Sequence, residues 1–337
     1  MFAYVIRRLI GGVFLLLAVS LITFILFFAG PINPAKFTCG KQCTPALIER
    51  NTKALGYDKP VVQQWASFAV GIVKGREFPD DPALKKSAPE TIAKCGAPCL
   101  GYSLQVSQNV TSELKPRIPV SASLAIAAFV MWIILGVGLG ITAALLRGTV
   151  IDKALVGVSL VFYAMPTVVT GLILYQFVSI KWQLVPTPVY TTFTQSPLLW
   201  LQGLVLPALT LALYYAAGYV RLTRAFVLET LGEDYLRTAK AKGVPRARVL
   251  FRHTLRAALT PIVTQAGLDL GALLGGAIIT EQIFGYPGLG TLAVSSATQF
   301  DLPTTIGIVM VVATFIILAN LIVDILYGLI DPRVKLA

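Results

Sequence analysis

Residues 233–261 read EDYLRTAKAKGVPRARVLFRHTLRAALTP, and on either side the chain is apolar enough to cross a membrane. Nine Lys and Arg fall between Arg221 and Arg256, interrupted by Gly243-Val244-Pro245. Such a concentration of charge needs a reason in a chain of 337 residues that is 56% hydrophobic and 13% charged, where soluble domains carry roughly 25%. The composition is that of an integral membrane protein. Its formal charge of +12 therefore has to be sorted by side of the bilayer before it says anything about partners.

A hydrocarbon core about 30 Å thick takes about 20 helical residues to cross. Apolar runs of that length occupy roughly 9–29, 119–146, 154–179, 201–220, 259–280 and 303–329. No strands of barrel type alternate along the chain, and backbone groups in lipid must be satisfied within their own segment. The expectation is an all-α membrane protein with six transmembrane helices. Arg7-Arg8 ahead of the first run could introduce a cleaved signal peptide. Leu9 to Phe28 exceeds the usual apolar region of about 7–15 residues, however, and no small-x-small site precedes Gly30-Pro31, so the run reads as an uncleaved span. The chain divides into an N-terminal helix (1–29), an extracytoplasmic insert between helices 1 and 2 (30–118), a five-helix core (119–330) and a tail (331–337).

Orientation follows from Lys and Arg. The N-terminus holds two, the 147–153 connection two, the 221–258 connection nine and the C-terminus two, whereas 180–200 holds only Lys181 and 281–302 none. Both termini are expected on the cytoplasmic side. The remaining twelve lie in the 30–118 insert, which is long enough to escape the rule.

That insert holds all four cysteines, as Cys39-Gly-Lys-Gln-Cys43 and Cys95-Gly-Ala-Pro-Cys99. Their confinement to one external segment fits disulfides in an oxidising compartment. Three pairings are open. In the chain-entropy model a bridge across the segment stabilises by about 4 kcal/mol and a five-residue ring by about 2, which makes cross-pairing the stronger staple. A tetrathiolate zinc site is the competing structural reading.

In the basic stretch, Glu233 and Asp234 open a helix whose far end carries Arg237, Lys240 and Lys242, an order that complements the helix dipole. Gly243 supplies a left-handed stop, and Pro245 suits the first position of a second helix. There Arg248, Arg252 and Arg256 recur every four residues beside Ala247, Leu250, Phe251, Leu255 and Ala258. Three readings compete: a positive-inside loop lying on headgroups, a DNA-binding helix-turn-helix, and a docking hairpin, 229–258, for a cytoplasmic partner. Tethering to a span at each end, with no dimerisation element, argues against nucleic acid.

Tyr235-Leu-Arg-Thr-Ala-Lys-Ala-Lys-Gly243 with Val249-Leu-Phe-Arg-His-Thr-Leu-Arg256 and Leu259-Thr-Pro261 resembles the EAA loop of ABC-importer permeases, in the version of the dipeptide and oligopeptide family. The stretches Tyr4 to Leu9, Leu55-Gly56, Asp58 to Pro60, Gln64-Trp65, Glu281 to Gly290 and Asp331 to Arg333 resemble the same family. At the Glu of the general pattern this chain has Arg237. The resemblance implies a type I ABC importer permease fold in a bacterial cell membrane. It also implies a coupling role for Glu233, Asp234, Tyr235, Arg237, Ala239, Lys240, Gly243, Arg248 and Arg252. The implied partners are a second permease, two ATP-binding cassette subunits holding ATP and Mg, an extracytoplasmic binding protein and the lipid bilayer. The implied cargo is short peptides.

Inside the spans, Asp269 is a costly carboxylate unless paired or wetted. Gly267, Gly271 and Gly275 form a small-residue stripe for close helix approach, and Asp269 points away from it with Gln265, Gly276 and Thr280. That polar face is expected to line the translocation route or to meet a structural partner in the companion subunit. Pro166 and Pro207 interrupt two spans. No G-x-x-x-x-G-K-[ST] is present, one histidine (His253) cannot build a metalloprotease site, and no nucleophile has a base beside it. No cofactor, metal site or enzymatic activity is expected in this chain. A self-contained ion-coupled carrier is the alternative, but no inverted halves are visible.

Overall fold

The computed structural model describes residues 2–28, 34–38, 43–79 and 92–330, and the backbone alone at 2–3, 272, 274–276 and 326–330. The helices begin with α1 (Phe2–Phe28), α2 (Pro45–Leu55), α3 (Val61–Lys74), α4 (Val110–Leu114) and α5 (Ile118–Leu145). Next come α6 (Val150–Ala164), α7 (Thr167–Ile173) and α8 (Pro197–Leu231). The last are α9 (Asp234–Ala241), α10 (Arg246–Arg248), α11 (Leu255–Phe284), α12 (Leu289–Thr298) and α13 (Leu302–Ile330). Two short antiparallel pairs interrupt them: β1 (Arg76–Phe78) with β2 (Ala93–Cys95), and β3 (Tyr102–Ser103) with β4 (Gln108–Asn109).

Among the described residues four helices are long and apolar enough to cross a membrane, and a bent pair makes a fifth. That pair is the expected 154–179 span: α6 ends at Ala164, Pro166 precedes α7, and the axis turns by 106°. Proline bars the continuing hydrogen bond and forces its predecessor out of helix; Met165 is extended, at φ −79° and ψ 130°. Pro207, by contrast, sits inside the uninterrupted α8. The fifth expected span, 259–280, falls within the 30-residue α11, which is not among those candidates.

One compact unit comprises residues 2–120 and 287–317. Phe24 of α1, Phe68 of α3 and Ile306 and Met310 of α13 form one of its cores, and Val110, Leu114, Leu289, Leu292 and Ile308 another. Trp65 Nε1 donates to Ser20 Oγ at 2.9 Å, fastening α3 to α1. Here the insert folds: Thr44 caps α2 by accepting from Leu47 N, and Gly56 ends it at φ 71°, where a side chain would be strained. The buried Cys95 and Cys99 are bonded to each other. The stronger cross-pairing is not adopted, because the turn after β2 returns Cys99 to within 5.5 Å of Cys95, Cα to Cα, inside bridging range. Cys43 is also disulfide-bonded, and Cys39 lies outside the described residues.

The other unit comprises residues 121–286 and 318–330. Its helices approach closely at glycines. A Cβ on Gly136 would lie 2.5 Å from Tyr219 Cβ, and one on Gly140 would lie 2.6 Å from Thr223 Cβ and 2.8 Å from Val220 O. Backbone contact at that range requires glycine. Of the expected α11 stripe, Gly267 packs against Val323 of α13 and Gly271 is buried.

Candidate translocation and coupling sites

The basic hairpin departs from its sequence reading in two respects. As expected, α9 opens after Glu233 and closes at Gly243, whose φ is 75°. Gly243 N donates to Lys240 O at 3.0 Å and Val244 N to Ala239 O at 3.2 Å, satisfying two end carbonyls. Pro245, however, precedes the first helical residue, and the second helix is not separate. It runs through α10 and a π-helical segment, Val249–Thr254, directly into α11. Thr254 Oγ1 donates to Val249 O, five residues back, at 3.1 Å, the spacing a π turn allows.

Leu236, fully buried, anchors α9. Glu233, Asp234, Arg237, Lys240, Gly243, Arg248 and Arg252 are exposed, Ala239 is half-buried, and Tyr235 and Phe251 are 48% and 71% exposed. The hairpin thus presents cations around two large apolar side chains, a surface suited to a protein partner. Ahead of the hairpin, α8 is tied to α6 by a bond the sequence reading missed. Arg224 of α8 makes a bidentate pair with Asp152 of α6, Nε to Oδ1 at 2.6 Å and Nη2 to Oδ2 at 2.8 Å, and Gly148 N donates to Asp152 Oδ2 at 2.9 Å. The available signal was Asp152 itself, the only acid in the 147–153 connection.

Asp269 has partners within the chain. Tyr219 of α8 donates its hydroxyl to Oδ2 at 2.7 Å, and Gln265, one turn earlier on α11, donates Nε2 to Oδ1 at 3.1 Å. Asp269 is half-buried, Gln265 exposed and Thr280 fully buried. For Gly276 only the helical backbone is described. Behind Tyr219 stands an aromatic stack: Trp132, fully buried, lies 4.5 Å from the Tyr215 ring and 5.7 Å from Tyr219, centroid to centroid. Next to Thr280, the buried Glu281 accepts from Ser121 Oγ at 2.5 Å. Tyrosines in an apolar helix carry no periodicity that marks them as ligands to a carboxylate fifty residues away.

Residues 136–336 match the family model of the "Binding-protein-dependent transport system inner membrane component", and residues 1–125 match "Binding-prot-dependent transport system membrane comp, N-term". The "Dipeptide transport system permease protein DppB" of Escherichia coli (strain K12) is 33% identical over 359 aligned residues, covering 99% of each chain. The "Probable peptide ABC transporter permease protein y4tP" of Sinorhizobium fredii (strain NBRC 101917 / NGR234) is 31% identical over 332, covering 98% of this chain and 99% of its own. In fold, the chain is similar to one in the inward-facing MetNI methionine ABC transporter (CY5 SeMet soak crystal form). The TM-score is 0.54 at 13% identity, covering 66% of this chain and 98% of that one. This is a family of multi-pass permease subunits that carry no nucleotide-binding domain and no cofactor, and its transport depends on a binding protein and an ATPase. The chain belongs to the binding-protein-dependent transport system inner membrane components.

Proposed function

We propose that this permease imports short peptides. Six spans, both termini cytoplasmic, pair with a second permease around one path, and the 229–258 hairpin docks on one of two ATP-binding cassette subunits. The observation that carries the coupling role is the capped, cation-rich hairpin with Tyr235 and Phe251 exposed and Leu236 buried as its anchor. Its residues in contact with the ATPase would be Glu233, Asp234, Tyr235, Arg237, Ala239, Lys240, Gly243, Arg248 and Arg252. The peptide assignment is supported by the relatives, both named as peptide or dipeptide permeases.

Gln265, Asp269, Gly276 and Thr280 are proposed for the path, with the Asp269 carboxylate facing a peptide's cationic end once Tyr219 releases it. The bridged cysteines would staple the external insert on which the binding protein docks, a role consistent with an oxidising exterior.

Reconstitution of the chain with its companion permease and ATPases tests this directly. ATP hydrolysis stimulated by peptide-loaded binding protein, with uptake strictly dependent on ATP, is expected. Full uptake driven by an ion gradient without ATP would overturn it.

A further inference from the structure

Arg221 lies in α8 one turn before Arg224, but the two are used differently. Arg224 is neutralised by Asp152. Among the described residues Arg221 has no carboxylate partner. Its guanidinium sits over the ring of Tyr163 on α6, 4.6 Å from the centroid, and its Nε is buried without a hydrogen-bond acceptor. Tyr163 in turn stacks on Tyr214 of α8, centroids 5.6 Å apart and planes 5° from parallel. A Cβ on Gly218 would lie 3.5 Å from Tyr163 Cε2, in ordinary van der Waals contact, so the ring lies directly against α8 there. Tyr163 is 46% exposed and Arg221 half-buried. The cluster is a shelf of two parallel rings with a cation at its edge, open on one side.

Its depth decides what meets it. Asp152 and Tyr163 are eleven residues apart on one helix, which at 1.5 Å per residue is about 16 Å. With Asp152 at the cytoplasmic boundary, the Tyr163 backbone lies about half-way into a core about 30 Å thick, and Arg221, one turn along α8 from the Asp152-bound Arg224, meets the ring from its cytoplasmic side. An unpaired arginine at that depth faces a wetted path or an anion, because lipid tails do not compensate it. The chain also breaks beside it, at Met165-Pro166, and irregular backbone at membrane depth is tolerated where it is buried in protein or lines a cavity.

We infer that Arg221, on the shelf formed by Tyr163 and Tyr214, binds the C-terminal carboxylate of the peptide inside the translocation path. This rests on the peptide-import reading and adds a site for the end of the substrate opposite to the one assigned to Asp269. The planar guanidinium is preorganised by the ring beneath it, leaving its N–H edge for a bidentate carboxylate.

The test uses the assembled transporter in proteoliposomes with its binding protein, and compares uptake of Ala-Phe with that of Ala-Phe amide, each normalised to its occupancy of the binding protein. The wild-type complex is expected to favour the free acid by about tenfold, the scale of one charge-assisted pair. Arg221→Gln should bring the ratio to within about twofold, and Arg221→Lys, which keeps charge without the planar fork, to an intermediate value. Tyr163→Leu should lower the ratio with the arginine intact, and Tyr163→Phe should preserve it. An unchanged acid-to-amide ratio in Arg221→Gln overturns the inference and leaves peptide import standing. If Arg221→Gln instead releases the companion permease while Arg221→Lys keeps both assembly and the wild-type ratio, the arginine's counter-ion belongs to that subunit and the inference fails. Absence of any ATP-dependent peptide uptake by the wild-type complex removes the import reading, and this site with it.

Discussion

Ser103 in the 30–118 insert donates its hydroxyl to Asp301 Oδ2 at 2.6 Å, joining residues 198 apart in sequence. Thr304 Oγ1 donates to the same oxygen at 2.8 Å, and Ser103, Asp301 and Thr304 are all buried. Gln105 adds bonds to the carbonyls of Phe37 and Gln299, and Phe37 stacks on Phe300 at 4.1 Å. The insert is thereby fastened to the residue that precedes α13. Asp301→Ala should strand the buried Ser103 hydroxyl, leave Thr304 only its 3.5 Å contact with Glu113 Oε2, and cost about 1–3 kcal/mol, read as a lower Tm and faster proteolysis between β3 and β4. Ser103→Ala, which deletes a donor and leaves the carboxylate one partner, should cost less. Equal Tm for wild type and Asp301→Ala would contradict the fastening.

The same unit should be sensitive to alkali. Burial raises the Tyr57 phenol above the usual tyrosine range, the nearby Asp301 charge adds to the shift, and Arg76 opposes it. Above about pH 10 the unfolded phenol loses its proton while the folded one keeps it, so the unfolded state binds fewer protons and stability falls as pH rises. Tyr57→Phe should flatten that alkaline fall and leave the neutral range unchanged. Tm measured at closely spaced pH values on both proteins checks it.

Helix contact in the other unit depends on Gly140. Gly140→Val should cost about 1–3 kcal/mol or abolish folded protein in the membrane, because the clash is partly with the Val220 backbone oxygen and cannot be relieved by a rotamer. Gly138→Ala, whose Cβ meets nothing within 4 Å, is the matched control and should be neutral. Detergent-solubilised yield and thermal stability distinguish the two.

Tyr219 and Asp269 should be energetically coupled. A double-mutant cycle of Tyr219→Phe and Asp269→Asn is expected to give roughly 0.6–1.7 kcal/mol, the range for hydrogen bonds between membrane helices. Additive effects would mean the bond contributes nothing to the folded chain.

At Gly243 the constraint is conformational rather than steric, since a Cβ there meets nothing within 4 Å. Gly243→Asn, which tolerates the left-handed region, should keep ATPase association. Gly243→Val should reduce it while membrane insertion persists. Pull-down of the ATPase with each variant provides the measurement.

What the sequence revealed was local. Gly243 and the acidic start of α9 were legible because a capped helix end is written in adjacent residues. The Gln265–Asp269 pair was legible because four residues make a turn. Pro166 announced a break but not its 106° angle, which is set by what α7 packs against. Tyr219, Arg224 and Asp301 were invisible as partners, since each meets a residue brought near only by the fold. Gly136 and Gly140 carried the four-residue spacing that was recognised in α11 and overlooked here. The cysteine pairing followed the turn geometry after β2 rather than the larger entropy of a long loop.

The helix that begins at Arg246 does not end until Phe284, with the π segment inside it. Arg248 and Asp269 are therefore mounted on one shaft. Every residue unwound or rewound at Val249–Thr254 turns the Asp269 end by about 100° relative to the hairpin and shifts it by about 1.5 Å. The six-residue segment sets the phase between the two ends, and a change of a single residue in its winding would swing the carboxylate from one neighbouring helix toward another.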